Sequence, residues 1–164
     1  MAIPSFSLKA LIITVCILLG LGLIAFIAMA IQSHKRPATL GLHHGQLRPC
    51  PASPNCVCSE ATDRNDPEHG VLPIQLPIEL PTARHGNTWD RLTHAIDDLG
   101  GVINQDDGHY LHATFTSSLF RFVDDLELRR DTAAGVIQIR SASRAGRSDF
   151  GINRQRVQRI RAAL

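Results

Sequence analysis

The first feature of the chain is an uninterrupted apolar stretch from Ala10 to Ile31 that contains no charged residue. As a helix rising ~1.5 Å per residue it would be roughly 33 Å long, enough to cross a hydrocarbon layer of ~30 Å. Residues 1–36 are therefore predicted to form a membrane anchor. A cleaved signal peptide is the alternative, because residues 28–30 fit the small-x-small cleavage pattern. Against it, the apolar part of such peptides usually has only ~7–15 residues.

In the second half of the chain, apolar residues recur at the intervals that place them on one face of a helix. Apolar residues recur on one helix face from Trp89 to Leu99, after a capping position at Asn87 or Thr88. A last helix is predicted to begin around Asn153, with its apolar residues again on one face. Both helices are amphipathic, so each needs a partner surface to cover it.

Between these helices, apolar and polar residues alternate along the chain, as they do in a strand with one buried face. This alternation predicts four strands, Val102–Gln105, Tyr110–Thr116, Arg121–Arg130 and Val136–Arg144. The connections are short, and Asp107-Gly108 is a hairpin signal, so the strands should form an antiparallel meander. We expect an α+β domain in which the helices pack on one face of a four-stranded sheet.

The chain is thus predicted to have three parts. Residues 1–36 are the anchor, residues 37–86 connect it to the domain, and residues 87–164 form the α-β4-α domain. The connection begins as a linker over Pro37–Gly45, and includes a run with a proline at every fourth position over Leu72–Pro81. Proline removes ladder donors, so this run should lie along the domain as an extended strap.

Three cysteines lie in the connection, in the turn Cys50-Pro51-Ala52-Ser53-Pro54-Asn55-Cys56-Val57-Cys58. The prolines and Asn55 favour a compact turn that can bring Cys50 near Cys56 or Cys58. A disulfide here would place the domain in an oxidising compartment, whereas the basic residues around the anchor lean slightly toward a cytoplasmic domain. Zinc is the alternative, although the spacing matches no usual metal pair. The histidines available to complete such a site are His43, His44 and His69.

Alternation divides the polar side chains of the third and fourth strands between the two sheet faces. Asp124 falls in an apolar row, whereas Asp125 and Glu127 fall in the opposite row. The predicted polar cluster comprises Asp124, Asp125, Glu127, Arg140, Ser141, Ser143, Arg144, Ser148, Asp149, Asn153 and Arg156.

Within this cluster, Asp124 is expected to lie under Ser141 or Ser143 and to meet Asn153 or Arg156 of the last helix. Arg140 should pair with Asp125 or Glu127 on the other face, which we expect to be open to solvent. Replacing Asp124 is then expected to cost more stability than replacing Asp125.

The cluster has three interpretations. The first is a structural latch that holds the last helix to the sheet. The second is an anion or small-ligand site at the turn Ala145–Gly151, where glycines, Ser148 and a helix N-terminus meet. The third is catalysis by a Ser/Asp pair with His109 or His112, which the spacing does not support because no nucleophile elbow is present.

The number and distribution of charged residues argue against nucleic-acid binding and point to one basic segment. Lys and Arg total 17 and Asp and Glu total 15, so the net charge is only +2. Lys9, Lys35 and Arg36 belong to the anchor region, so the rest is nearly neutral and gives no case for nucleic acid. The last 30 residues hold seven arginines and one acid, Asp149. That bias suits an anionic lipid or a membrane-protein partner, although a solvated helix face is the simpler interpretation.

Three segments carry a resemblance to a known family. They are Cys50-Pro51-Ala52-Ser53-Pro54-Asn55-Cys56-Val57, Phe122-Val123-Asp124-Asp125-Leu126-Glu127, and the run from Arg140 to Arg154. Over about Leu47 to Leu164 the chain resembles the uncharacterised-domain family catalogued as number 1499. The resemblance implies an exported domain with a Cys50–Cys56 pair and transfers no activity. Cys58 departs from the pattern, where serine is expected.

These observations predict a single-pass protein of the plasma (inner) membrane with its domain on the periplasmic or other non-cytoplasmic side. We expect a non-enzymatic binding or assembly module without cofactor or metal. Its partners would be the membrane, through the anchor, and a membrane protein or an anionic lipid. The alternative is a small-ligand-binding or hydrolytic enzyme that uses the neighbourhood of Asp124, Ser141 and Arg144.

Overall fold

The computed structural model describes residues 7–60, 63, 65–76 and 88–164. The helices in these ranges are α1 (Leu8–Ser33), α2 (Thr88–Asp98) and α3 (Ile152–Ala162). The strands are β1 (Cys56–Cys58), β2 (Ile74–Gln75), β3 (Val102–Asp106), β4 (Tyr110–Thr116), β5 (Val123–Asp131) and β6 (Val136–Ser143).

The strands form one antiparallel sheet in the order β1-β6-β5-β4-β3, and β2 also pairs with β6. The predicted meander is β3 to β6, so the α+β class is confirmed. The predicted number of four strands was too low, because β1 and β2 contribute only three and two residues. Such short strands show no period. The remainder of the proline strap, residues 77–81, and the capping position Asn87 lie outside the described residues.

α2 and α3 pack on one face of the sheet, as the amphipathic patterns predicted. Trp89, Leu92 and Ile96 of α2 and Val157 and Ile160 of α3 join the apolar side chains of the central strands in the core. The burial of these side chains is the main force that holds the two helices to the sheet.

Gly101 makes the tight turn from α2 into the sheet possible. A Cβ atom at this position would lie 2.7 Å from both Ile96 Cγ2 and Phe115 Cζ, which is closer than non-bonded carbons pack. Only glycine therefore fits here without a shift of the core.

The second face of the sheet is covered, and the expectation that it is open to solvent was wrong. Leu47 packs with Cys58 and Tyr110 there, each almost fully buried. The amide of Gly41 donates to Glu127 Oε1 at 2.8 Å. Gly41 belongs to the predicted linker, so that segment contributes to the cover of the second face. Its apolar residues follow neither the helical nor the strand period, because the segment is coil.

The cysteines divide as the resemblance implied. Cys50 and Cys56 form a disulfide with their Cα atoms 5.6 Å apart. Cys58 is a free, buried thiol whose Sγ donates to the carbonyl of Glu60 at 2.8 Å. Burial raises the pKa of Cys58 to about 11, so this thiol stays protonated at neutral pH. Cys16 is free and exposed on α1.

α1 has the length and apolar composition to cross a membrane. Its carboxyl end is attached to the domain: Ser33 is fully buried, and its hydroxyl accepts from the amide of Val123 at 3.3 Å. About two turns earlier, the ring of Phe26 meets those of Phe120 and Phe122 edge-on, with centroids 5.0 and 5.2 Å apart. α1 is thus joined to the domain by direct packing as well as by the chain.

Candidate functional site

On the helix-covered face, the predicted cluster forms a polar latch between β5, β6 and α3. Asp124 accepts from Arg156 at 2.6 Å, and Arg156 also donates to the hydroxyl of Ser141 at 2.9 Å. Ser141 in turn donates to Asn153 Oδ1 at 2.6 Å, and Asn153 Nδ2 donates to the hydroxyl of Ser143 at 2.9 Å. The latch satisfies the polar groups that α3 brings to the sheet.

The turn before α3 already contains its own negative group. Asp149 accepts from the amide of Asn153 at 2.8 Å and from that of Gly151 at 3.0 Å. Ser148 accepts from the amide of Phe150 at 3.2 Å. A carboxylate at a helix N-terminus stabilises the helix dipole. The backbone amides of this turn are the donors that would bind an anion at a ligand site here. Asp149 and Ser148 already accept from them.

On the second face, the charged members of the cluster form a buried polar layer. Asp125 accepts two bonds from Arg144, at 2.7 and 2.8 Å, and one from Nε2 of His112 at 2.8 Å. Arg140 donates to Glu127 at 2.8 Å, and the hydroxyl of Tyr110 donates to the other oxygen of Glu127 at 2.7 Å. Asp125 and Glu127 are only 2% and 1% exposed, so the layer is shielded from water.

The cluster predicted from the sequence therefore lies on both sides of the sheet. In particular, Arg144 bonds to Asp125 on the second face, whereas Asp124 and Ser141 belong to the latch on the helix-covered face. The neighbourhood of Asp124, Ser141 and Arg144 that the enzyme alternative required is not one site. The cause is the alternation of β5 and β6, which sends adjacent residues to opposite faces.

The polar layer includes groups that the sequence analysis did not select. Arg129 forms an ion pair with Glu60, and Glu60 also accepts from the amide of Leu47 at 2.9 Å. Tyr110 and His112, the latter named above only as a possible catalytic partner, share their face with Asp125 and Glu127. The alternation of β4, which sends Leu111 and Ala113 to the helix-covered face, is the signal that would have shown this. Glu60 lies in coil, where no sequence pattern marks it.

Burial and neighbouring side chains act in opposite directions on the pKa of Asp125 and in the same direction on that of Tyr110. Burial raises the pKa of Asp125, but the hydrogen bonds from His112 and Arg144 outweigh it and hold that pKa below its usual range. Burial and the adjacent Glu127 raise the pKa of Tyr110, so this phenol remains a donor. Asp125 is therefore ionised at neutral pH, and Nε2 of His112 must carry a hydrogen to bond to it.

A cavity of about 300 Å³ opens beside this layer where the chain leaves α1. Its lining is cationic and polar: His34, Arg36, Asn104, His112, Thr114, Thr116, Val123 and Arg144. None of these residues is acidic. Nδ1 of His112 is buried and has no hydrogen-bond partner among the described residues. It accepts a hydrogen bond when the ring is neutral and donates one when the ring is protonated.

A second, larger cavity of about 520 Å³ lies on the other side of the sheet, between the end of α2 and α3. Asp124 and Arg156 line it and neutralise each other through their ion pair, and Arg159 adds a positive charge. Among the described residues, however, no buried polar atom in its wall lacks a partner. The smaller cavity is therefore the stronger candidate site, since it combines positive charge with the unpartnered ring nitrogen of His112.

The comparisons with known proteins identify a family and no function. A family model described as "Protein of unknown function (DUF1499)" matches residues 46–164. No curated protein matches the chain, and no solved structure does. Because the matched range covers most of the sequence, the chain belongs to the DUF1499 family of proteins of unknown function.

Proposed function

We propose that this chain is a single-pass protein of the plasma (inner) membrane whose domain lies on the non-cytoplasmic side and binds a phosphate-type anion at the membrane surface. It would act as a binding module and not as an enzyme. The observation that carries this proposal is the cationic cavity beside the end of α1, with the unpartnered Nδ1 of buried His112 in its wall.

The charge balance of the cavity supports an anionic ligand. Arg144 is neutralised by Asp125, with which it makes two hydrogen bonds. Arg36 and His34 follow α1 directly, and neither forms an ion pair with another described residue. An anion that enters here would meet Arg36 first, and Nδ1 of His112 would donate a hydrogen bond to it when the ring is protonated. Headgroup phosphates lie at the level where a membrane-spanning helix ends, so they are the most abundant anions near this cavity.

The attachment of α1 supports an anchor that remains on the mature protein. Arg144 donates to the carbonyls of Ser33 and His34 at 3.3 and 3.4 Å, and so binds the negative end of the helix. Cleavage after residue 30 would remove the helix and leave Ser33 near a charged new terminus. The Cys50–Cys56 disulfide supports the non-cytoplasmic side, since disulfides persist in oxidising compartments.

The surroundings of Ser141 argue against the hydrolytic alternative. Its side chain is fully buried, and its hydroxyl is held between Asn153 and Arg156. A nucleophile must reach its substrate, and this hydroxyl has no access to solvent or to a neighbouring histidine. The latch therefore functions as structure.

Lipid retention tests the proposed ligand. The full chain is purified in detergent with a mixture of phosphatidylglycerol and phosphatidylcholine, and native mass spectrometry counts the lipids that stay bound. We expect phosphatidylglycerol to be retained by the native chain and lost from Arg36→Gln. Arg91→Gln removes the same charge from an exposed position on α2 and is the matched control. Equal retention by Arg36→Gln and the native chain would refute the site.

The source of the phosphate group is tested separately. Inorganic phosphate is titrated into the lipid-free protein while its unfolding temperature is followed. A rise that Arg36→Gln abolishes, without selective lipid retention, would identify a free phosphate as the ligand. A lipid ligand predicts retention of phosphatidylglycerol and little effect of the free ion.

A further inference from the structure

Outside α1, four of the six large apolar side chains that are exposed among the described residues lie on or next to two loops beside α1. The first loop, residues 117–122, joins β4 to β5, and the second, residues 144–151, joins β6 to α3. Leu119 and Phe120 on the first are 76% and 51% exposed, and Phe150 on the second is 90% exposed. Ile152, at the start of α3, is 50% exposed. Single exposed apolar residues are common, but a contiguous group marks an interaction surface.

The two loops share one apolar cavity of about 410 Å³ with the anchor helix. Phe26 and Met29 of α1 line it together with Phe120, Phe122 and Phe150. The surface is therefore continuous with α1, the segment of the chain that a bilayer would surround.

The contact of Phe26 gives the depth of these loops. Phe26 precedes Ile31, the end of the apolar stretch, by five residues, which is ~7.5 Å along a helix. Phe120 and Phe122 touch Phe26. Where this turn of α1 is surrounded by lipid, the rings that pack against it are at the same depth.

We propose that the loops 117–122 and 144–151 insert into the bilayer leaflet from which α1 emerges and give the domain a second membrane contact. This inference rests on the proposed membrane anchor and adds a lipid-embedded surface to it. Arg121 and Arg147 are exposed on the same two loops. Long basic side chains at this position extend toward headgroup phosphates while their stems stay in the apolar zone.

The backbone of both loops adopts an unusual conformation that holds the apolar side chains at the surface. Arg121 and Phe150 have φ values of 58° and 54°, in the left-handed region that residues other than glycine seldom occupy. Each lies at or next to an exposed aromatic ring. The fold maintains this conformation although it costs free energy, and the result is that the ring of Phe150 points out of the domain.

Quenching by brominated lipid tests the insertion. The full chain is reconstituted into phosphatidylcholine vesicles whose acyl chains are brominated close to the headgroup. Single variants Phe120→Trp and Phe150→Trp are expected to lose most of the emission that the added tryptophan contributes. Leu119→Trp repeats the measurement at a more exposed position, in case the contact of Phe120 with α1 tolerates no larger ring. The native chain, whose single tryptophan is the buried Trp89, supplies the emission to subtract, and an unchanged far-ultraviolet circular dichroism spectrum shows that each variant is folded.

Two matched variants make the outcome decisive. Ala133→Trp lies in the exposed turn between β5 and β6, at the opposite end of nine-residue β5, about 30 Å away, and should keep its emission. Ile27→Trp lies on the exposed side of α1, about 6 Å along the helix from Ile31 and thus at the depth of the bromines, and should be quenched. If Ile27→Trp is not quenched, the membrane anchor itself is refuted. If Ile27→Trp is quenched while the loop variants behave like Ala133→Trp, the anchor stands and the insertion of the loops is overturned.

Discussion

Replacement of Asp125 by alanine is expected to destabilise the domain more than replacement of Asp124, the reverse of the order expected from the sequence. Asp125→Ala removes the acceptor of two bonds from Arg144 and one from His112, all inside the polar layer. Breaking a buried ion pair by removal of one partner costs ~3–5 kcal/mol, because the other charge stays buried.

The latch is less sensitive to the loss of its carboxylate. The side chain of Asp124 is 15% exposed, and without it Arg156 keeps its bonds to Ser141 and Asn153. An incompletely satisfied polar group of this kind costs ~1–3 kcal/mol. The expected difference of ~2 kcal/mol corresponds to roughly 30-fold in the unfolding equilibrium.

Urea unfolding of the full chain in detergent micelles, followed by the emission of Trp89, measures this difference. Asp97→Ala, on the exposed side of α2, is the matched control and should leave the midpoint unchanged. A double-mutant cycle of Asp125→Ala with Arg144→Ala should show coupling between the two sites. Equal losses for Asp124→Ala and Asp125→Ala, or no coupling, would show that the polar layer is hydrated and that the reasoning is wrong.

Three further predictions concern the core, the polar layer and the compartment. Gly101→Ala should cost ~1–3 kcal/mol by overpacking α2 against the sheet, measured by the same unfolding assay; an unchanged midpoint would contradict the close approach. The pKa of Asp125 is lowered on folding, so its contribution to stability is fully present above ~4 and is lost as pH falls through its folded pKa. Acid titration should therefore destabilise the native chain more than Asp125→Asn, and parallel curves would contradict this. Non-reducing peptide mapping of protein from its native membrane should recover Cys50 and Cys56 as one linked peptide, whereas two free thiols would remove the argument for an oxidising compartment.

The sequence was most informative where side chains alternate. Alternation along β5 assigned Asp124 to the row that faces α3, and Asp125 and Glu127 to the other. The helices and the four strands of the meander, β3 to β6, were predicted from the helical and the strand periods of the apolar residues. Each of these predictions depends on neighbours that are close in sequence or joined by a short turn.

The sequence was least informative where coil meets the sheet. Leu47 and Glu60 cover the second face from segments with no period, so the burial of Asp125 could not be predicted. The attachment of Ser33 to Val123 joins residues 90 positions apart. The cavity depends on both kinds of contact, which is why Arg144 was the one residue of its lining in the predicted cluster and His112 was named only as a possible catalytic partner.

The packing of α1 on the domain has a consequence for the reach of the molecule. Because Ser33 and Phe26 hold the near end of the sheet at the helix, the domain cannot swing freely as it would on a flexible tether. With α1 in a bilayer, as proposed, the far turns of the domain, around Asp107 and Ala133, would stand off the membrane by at most the length of β5, about 30 Å. A partner that binds those turns would then have to project to that height, whereas lipids and short membrane proteins would meet only the end beside α1.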